Sequence, residues 1–145
     1  MNSRSRPAAV LLDTCAVIWL ANGDPLRGGA LGRITYAGLA NGIFVSPVSA
    51  WEIGMLGRSE SSRPTQFLPD PATWFDRFMA GPAIKAAAFT AGIAIAASQL
   101  PEPLHGDPAD RLLIATARDM AIPIVTRDTG ILVYAAAGHV AAIAC

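Results

Sequence analysis

Lysine is almost missing from this chain of 145 residues, with Lys85 its only example. No Gly-rich segment ends in Lys-Ser or Lys-Thr, so a phosphate-cradling P-loop is excluded. A phosphorylation receiver would want a lysine after a late strand, and Lys85 opens a mid-chain one. Cysteine is scarce too: Cys15 and Cys145 make no disulfide framework, and a cytoplasmic, reducing compartment is the simpler expectation. The two histidines, His105 and His139, stand apart, and no cluster has zinc spacing. Net charge is absent, with eleven basic against eleven acidic side chains, so the field of the whole molecule does not announce a nucleic-acid partner. Membrane spans are lacking as well. The apolar run 83–98 carries Lys85 and falls short of the roughly 20 residues a spanning helix needs. Arg4 and Arg6 before Ala8–Ala21 imitate an export signal, but Asp13 interrupts its apolar stretch. A soluble protein with no membrane partner is expected.

What the chain does have is apolar bulk, 52% of its residues, which is enough for one sizeable core. Residues 1–7 read as a loose polar lead-in to a single domain. Ala8–Leu12 (AAVLL), Ile43–Val45, Ile84–Phe89, Ile122–Val125 and Val140–Ala144 are short apolar runs without clean alternation, the pattern of strands buried on both faces. Between them lie helical stretches at 14–21, 27–40, from Ser49, 72–80, 90–99 and 107–120, the last opened by Asp107-Pro108. Gly57–Pro71 is polar and proline-bearing and reads as an exposed loop, and Thr129-Gly130 as a turn. Strands alternating with helices imply an α/β fold with a mainly parallel sheet covered on both sides.

Five carboxylates then stand out, and each has a structural reading beside a functional one. Asp13 follows the first strand and can cap the next helix. Glu52, three residues after Ser49, fits a capping box. Asp107 precedes Pro108 and also reads as a cap, which places Asp110 in the first turn, favoured there by the helix dipole. Asp128 lies in a turn-like sequence. Taken together, however, the acids follow different strands, and in an open parallel sheet the loops after the strands emerge along one edge, where ligands bind. Acids gathered there raise one another's pKa unless a hard, oxygen-seeking cation such as Mg²⁺ or Mn²⁺ compensates.

The stretches LLDTCAVIWL, VSAWEIGML, HGDPADRLLIATA and IVTRD, in this order, resemble the conserved blocks of PIN domains. They look most like the VapC-like ribonuclease toxins of toxin–antitoxin pairs. The resemblance runs from Leu11 to Asp128. It implies a three-layer α/β/α sandwich and Mg²⁺- or Mn²⁺-dependent RNA cleavage. It also implies homodimers and inhibition by a cognate antitoxin protein. Carried over by position, Asp13, Glu52, Asp110 and Asp128 are the catalytic, metal-holding acids. Asp107 is an outer-shell or capping residue, and Thr14 and Thr126 are hydroxyls flanking the acids. Residues 27–42 and 57–71 match nothing specific.

On this reading Arg111 and Arg127 either contact RNA phosphates or bridge to nearby acids. Arg58 and Arg63 are candidate RNA or antitoxin contacts. Trp19, Trp51 and Trp74 are expected in the core or a dimer interface rather than in base stacking, and the apolar helix around Val17–Leu20 in a dimer face or antitoxin groove. Cys15 is expected as a small buried apolar residue. Three rivals stay open. A haloacid-dehalogenase-type enzyme needs a second aspartate two residues after the first, where this chain has Cys15. A non-catalytic α/β binding module would use the acids only as caps. A PIN-like nuclease acting on DNA would want added DNA-gripping elements for which this chain lacks the length.

Overall fold

Four parallel pairings join five short strands in the order β3-β2-β1-β4-β5. In this computed structural model, residues 8–58, 66–104 and 106–145 are described. The expected lead-in 1–7, Arg63 with most of its loop, and His105 lie outside the described residues. In chain order the elements are β1 (Ala9–Leu12), α1 (Thr14–Asn22), α2 (Ala30–Leu39), β2 (Gly42–Val45), α3 (Pro47–Leu56), α4 (Pro71–Met79), β3 (Ile84–Ala86), α5 (Ala91–Ser98), α6 (Pro108–Met120), β4 (Ile124–Thr126), α7 (Thr129–Ala136) and β5 (Ala142–Ala144).

β1 lies at the centre and is buried along its whole length. Its side chains alternate between two cores, as the two-residue repeat of a strand requires. Ala9 and Leu11 join Ile93 and Ala97 of α5, Leu113 and Ile114 of α6 and Ile131 of α7. Val10 and Leu12 join Val17 and Ile18 of α1, Ile34 of α2 and Phe67, with Trp74 and Phe78 of α4 packed against them. Helices thus cover both faces of an all-parallel sheet, in the three-layer α/β/α arrangement expected. From β1 the chain builds outward through β2 and β3. It then crosses back to β4 and β5 on the other side of β1. The strand order reverses between β1 and β4, which leaves a crevice at their carboxyl ends.

The element boundaries correct the sequence reading in two places that matter. α3 begins at Pro47, with Ser46 Oγ accepting from Val48 N at 3.0 Å, so Ser46 is the cap and Ser49 is fully buried inside the helix. The proposed capping box of Ser49 and Glu52 therefore does not exist. Pro47 signals the true start by the same rule that Pro108 obeys. The turn at Thr129-Gly130 is the first turn of α7, capped by Asp128, whose Oδ1 accepts from Ile131 N at 2.9 Å. A glycine at the second helical position disguises that start.

Among the described residues no helix is long and apolar enough to cross a membrane. Helix α1 ends on Gly23 in the left-handed conformation (φ 72°), where glycine carries no penalty. Helix α6 ends on Ala121 in the same conformation (φ 56°), where the Cβ costs roughly 1 kcal/mol. Ala121→Gly should therefore raise stability by about 0.5–1 kcal/mol. Leu113→Ala, at a fully buried position, should lower it by about 3 kcal/mol. Urea unfolding of both variants checks this; a destabilised Ala121→Gly would contradict the assignment of strain.

Candidate active site

Asp13 ends β1 at the crevice, and its amide is held to β4 by Asp13 N–Val125 O at 3.0 Å. Its side chain caps α1, Oδ1 accepting from Thr14 N at 2.7 Å. The other oxygen, Oδ2, accepts the Thr126 hydroxyl at 2.6 Å and lies 3.5 Å from Cys15 Sγ. Burial pushes the Asp13 pKa above its ordinary range, the Thr126, Thr14 and Cys15 contacts pull it back, and the nearby Asp128 charge adds to the rise. Cys15 is thus more than a packing residue. Its thiol is pushed up to about 12 by burial and then by the Asp13 charge, which leaves it a proton donor and a poor nucleophile.

Thr126 ends β4 and is fully buried. Its hydroxyl donates to Asp13 and accepts from Asp128 N at 2.9 Å, so it fixes both acids across the strand reversal. Thr14, on α1, does the corresponding work for Glu52 on α3. Its hydroxyl lies 2.5 Å from Glu52 Oε1 and 2.9 Å from the buried Ser49 Oγ. With a single hydroxyl proton, Thr14 serves the carboxylate and Ser49 supports Thr14 from behind. Ser49 is the residue that sequence reasoning misplaced. Its three-residue spacing from Glu52, once both lie inside a helix, puts the two on one face.

Asp107 caps α6, its Oδ1 accepting from Asp110 N at 3.2 Å, and Asp110 sits in the first turn as expected. The Asp110 pKa is pushed up to about 7, first by burial and then by the charges of Asp13, Asp107, Asp128 and Glu52. Burial also raises Glu52, with Asp13 and Asp107 adding to the effect. Asp13, Glu52, Asp107, Asp110 and Asp128 therefore converge on one cleft of about 420 Å³, which Thr14, Cys15, Ile18, Trp19, Leu56 and Arg127 complete. Asp13, Asp107 and Asp128 are helix caps as well as cleft acids. Asp110 and Glu52 lie inside α6 and α3 and are not the N-caps of those helices.

The two arginines diverge. Arg111 turns away from the cleft, donating from Nε to Ala97 O at 3.1 Å and lying 3.5 Å from Glu102. Arg127 lines the cleft and is tied to two main-chain oxygens, Cys145 O at 2.8 Å and Pro25 O at 3.1 Å. Trp74 packs against Phe67 and Phe78, as expected, whereas Trp51 is exposed. Val17 and Ile18 are buried in the core, and Leu20 borders an apolar groove between α2 and α4.

An all-oxygen donor set fits a hard divalent cation. Among the described residues, no three acids, histidines or cysteines are drawn close enough to hold an ion by themselves. The hydroxyls and capping amides hold the acids in place around the cleft. A cation there would keep several positions for water and phosphate, as Mg²⁺ does when few carboxylates bind it directly. Thr14 and Thr126 stand behind Glu52 and Asp13, where outer-shell partners orient metal ligands.

The Asp110 shift gives a sign to the pH dependence of stability. Between its ordinary value of 3.8 and about 7, the folded protein keeps a proton that the unfolded chain has released. Stability without divalent cation should accordingly be greatest at acid pH and fall as pH rises through that window. In chelator, the thermal midpoint should drop between about pH 4 and pH 7, and Asp110→Asn should remove much of the drop. A wild-type midpoint that climbs over the same range would refute the crowding of these acids.

No curated protein matches the chain by sequence. Solved structures share its fold. VapBC2 from Rickettsia felis, bound to a DNA fragment from their promoter, is 16% identical with a TM-score of 0.67, over 94% of this chain and 98% of that one. DNA-bound VapBC from Salmonella typhimurium is 14% identical with a TM-score of 0.62, over 94% and 97%. FitAcB from Neisseria gonorrhoeae is 18% identical with a TM-score of 0.53, over 92% and 96%. At such identities the likeness speaks for the fold alone. The sequence itself matches the PIN domain family over residues 10–137, which include all five cleft acids. This chain belongs to the PIN domain family.

Proposed function

We propose that this protein is a Mg²⁺- or Mn²⁺-dependent endoribonuclease, the toxin of a toxin–antitoxin pair, acting in the cytoplasm. The observation that carries the reading is Asp110, whose carboxyl is pushed up to about 7 by burial and by the charges of four other acids. A set of structural caps would account for Asp13, Asp107 and Asp128 but not for Asp110 and Glu52. Keeping two further carboxylates in that field is costly unless a cation is meant to share it.

Asp13, Asp110 and Asp128 would hold the cation, with Glu52 completing the set through water. When bound, the cation supplies a water of lowered pKa and neutralises charge building on the phosphorus. Asp13 is kept in one orientation by Thr126, Thr14 and Cys15, so its free lone pairs face a fixed direction. Glu52, steadied by Thr14, would either complete the shell through a water or help to remove the attacking water's proton. Its raised pKa brings it nearer the working range of a general base. Asp107 stays on the α6 amide and keeps Asp110 in register.

The partner reading leans on the complexes with which the chain shares its fold, VapBC and FitAB assemblies bound to DNA. A cognate antitoxin protein is the proposed inhibitor, and a homodimer the proposed assembly. The apolar groove bordered by Leu20, Leu31, Ile34, Trp74 and Phe78 is a suitable seat for an antitoxin helix.

Cleavage of a labelled RNA pool tests the enzyme. Activity should need Mg²⁺ or Mn²⁺ and vanish in chelator. Asp13→Asn and Asp110→Asn should each lower it at least about a hundredfold, and Thr126→Val roughly tenfold, with the fold retained. Equal cleavage by wild type, Asp110→Asn and chelated samples would overturn the assignment. Cleavage confined to a parallel DNA pool would keep the nuclease and change its substrate. Growth arrest on expression, relieved by Asp110→Asn, is the outcome expected of a toxin.

A further inference from the structure

Among the described residues Arg127 is the one cation that lines the acid cleft, and its geometry is unusual for a phosphate grip. Its guanidinium carbon lies 3.4 Å from the centre of the Trp19 ring. At that distance the guanidinium must lie flat on the indole, because a tilted one would drive nitrogen into the ring. Nε donates to Cys145 O at 2.8 Å and Nη2 to Pro25 O at 3.1 Å. These nitrogens form one of the paired edges by which arginine grips phosphate or carboxylate, and here it is committed to the main chain. Trp19 thus covers one face of the guanidinium and main-chain oxygens take one of its edges, which fixes the plane within the cleft lining. The plane is also locked to the acids: Arg127 sits between Thr126, which bonds Asp13, and Asp128, whose amide bonds Thr126. Ile18 and Leu56 continue the cleft wall beside it with apolar surface, and Leu56 is 42% exposed. Nucleobases of single strands stack on such guanidinium planes and on aromatic rings.

We propose that Arg127, backed by Trp19, is a stacking platform for one nucleobase of a single-stranded RNA, next to the phosphodiester that the acids handle. The inference rests on the nuclease reading and deepens it. It gives the site a preference for unpaired RNA, since a base inside a duplex cannot turn its face to a side chain. It also assigns Trp19, expected in packing, a supporting role in binding.

The test uses ribonucleotide hexamers carrying 2-aminopurine at each position in turn, with Asp110→Asn so that binding is read without cleavage. One position should show fluorescence quenching on binding. Arg127→Lys, which keeps the charge and loses the plane, should abolish the quenching and weaken binding roughly tenfold, as should Arg127→Met. Trp19→Phe should retain part of both effects. Full binding and quenching in Arg127→Lys would overturn the platform in favour of simple charge. A second series needs no Arg127 variant: hexamers with one abasic site each, bound to the same Asp110→Asn protein. A loss of about tenfold confined to one position is expected, and a uniform loss across positions would overturn the proposal. The two readings fail separately. RNA cleavage by wild type without any position-dependent stacking sinks the platform alone. Stacking by a protein that cleaves no RNA with Mg²⁺ or Mn²⁺ sinks the nuclease and leaves a base-binding site.

Discussion

The crowding of carboxylates in one partly buried cleft is the constraint around which this molecule is organised. Five acids share one cleft, and such a grouping would be expelled into solvent or protonated unless something answered its charge. The answer is distributed through the fold. Helices α1, α6 and α7 all begin at the crevice, each with an aspartate on its first amides. Three helix N-termini, each carrying partial positive charge, thus face the acids they are capped by. Buried hydroxyls from Thr126, Thr14 and Ser49 supply the remaining bonds. Asp13, Glu52 and Asp110 are nevertheless raised, first by burial and then by the neighbouring acids.

The topology makes that convergence unavoidable. With β1 central and the order reversing between β1 and β4, the residues following both strands meet at one point. Asp13 and Thr126 are brought within 2.6 Å although 113 positions separate them. The parallel pairing of Leu12 with Val125 fixes the relative height of the two strand ends. A slip of one residue would turn Thr126 from the cleft toward the opposite face of the sheet. The apolar sequences of β1 and β4 serve the site as much as the core, because their register carries the geometry of the acids.

The layered architecture, the parallel sheet and the acids could be read from the sequence because each rests on a local cue. Apolar runs without alternation mark doubly covered strands, and Asp-Pro before a helical stretch marks the start of α6. The family resemblance then named Asp13, Glu52, Asp110 and Asp128, which the fold brings to one cleft. What escaped depended on choices between equally valid local signals. Ser46-Pro47 and Ser49 with Glu52 both look like helix starts, and only packing decides that Ser49 is interior. Thr129-Gly130 reads as a turn until Ile131 is seen buried in the core, fully sequestered from solvent, with Asp128 bonded to its amide. The fate of the arginines was not legible at all. Arg111 and Arg127 each adjoin an acid in sequence, but the partners that decide their roles, Ala97, Glu102, Trp19 and Cys145, come from remote segments.

The double duty of Asp13, Asp107 and Asp128 has an evolutionary side. Replacing a capping aspartate with alanine costs a helix about 1 kcal/mol whether or not the protein retains any chemistry. A descendant that had lost its activity would still be held to these three by the need to fold. Asp110 and Glu52 are not cap residues, so the need to cap a helix does not hold them in the same way. Drift toward asparagine, glutamine or an apolar residue at those two positions would be the earliest mark of a lineage that had stopped cutting.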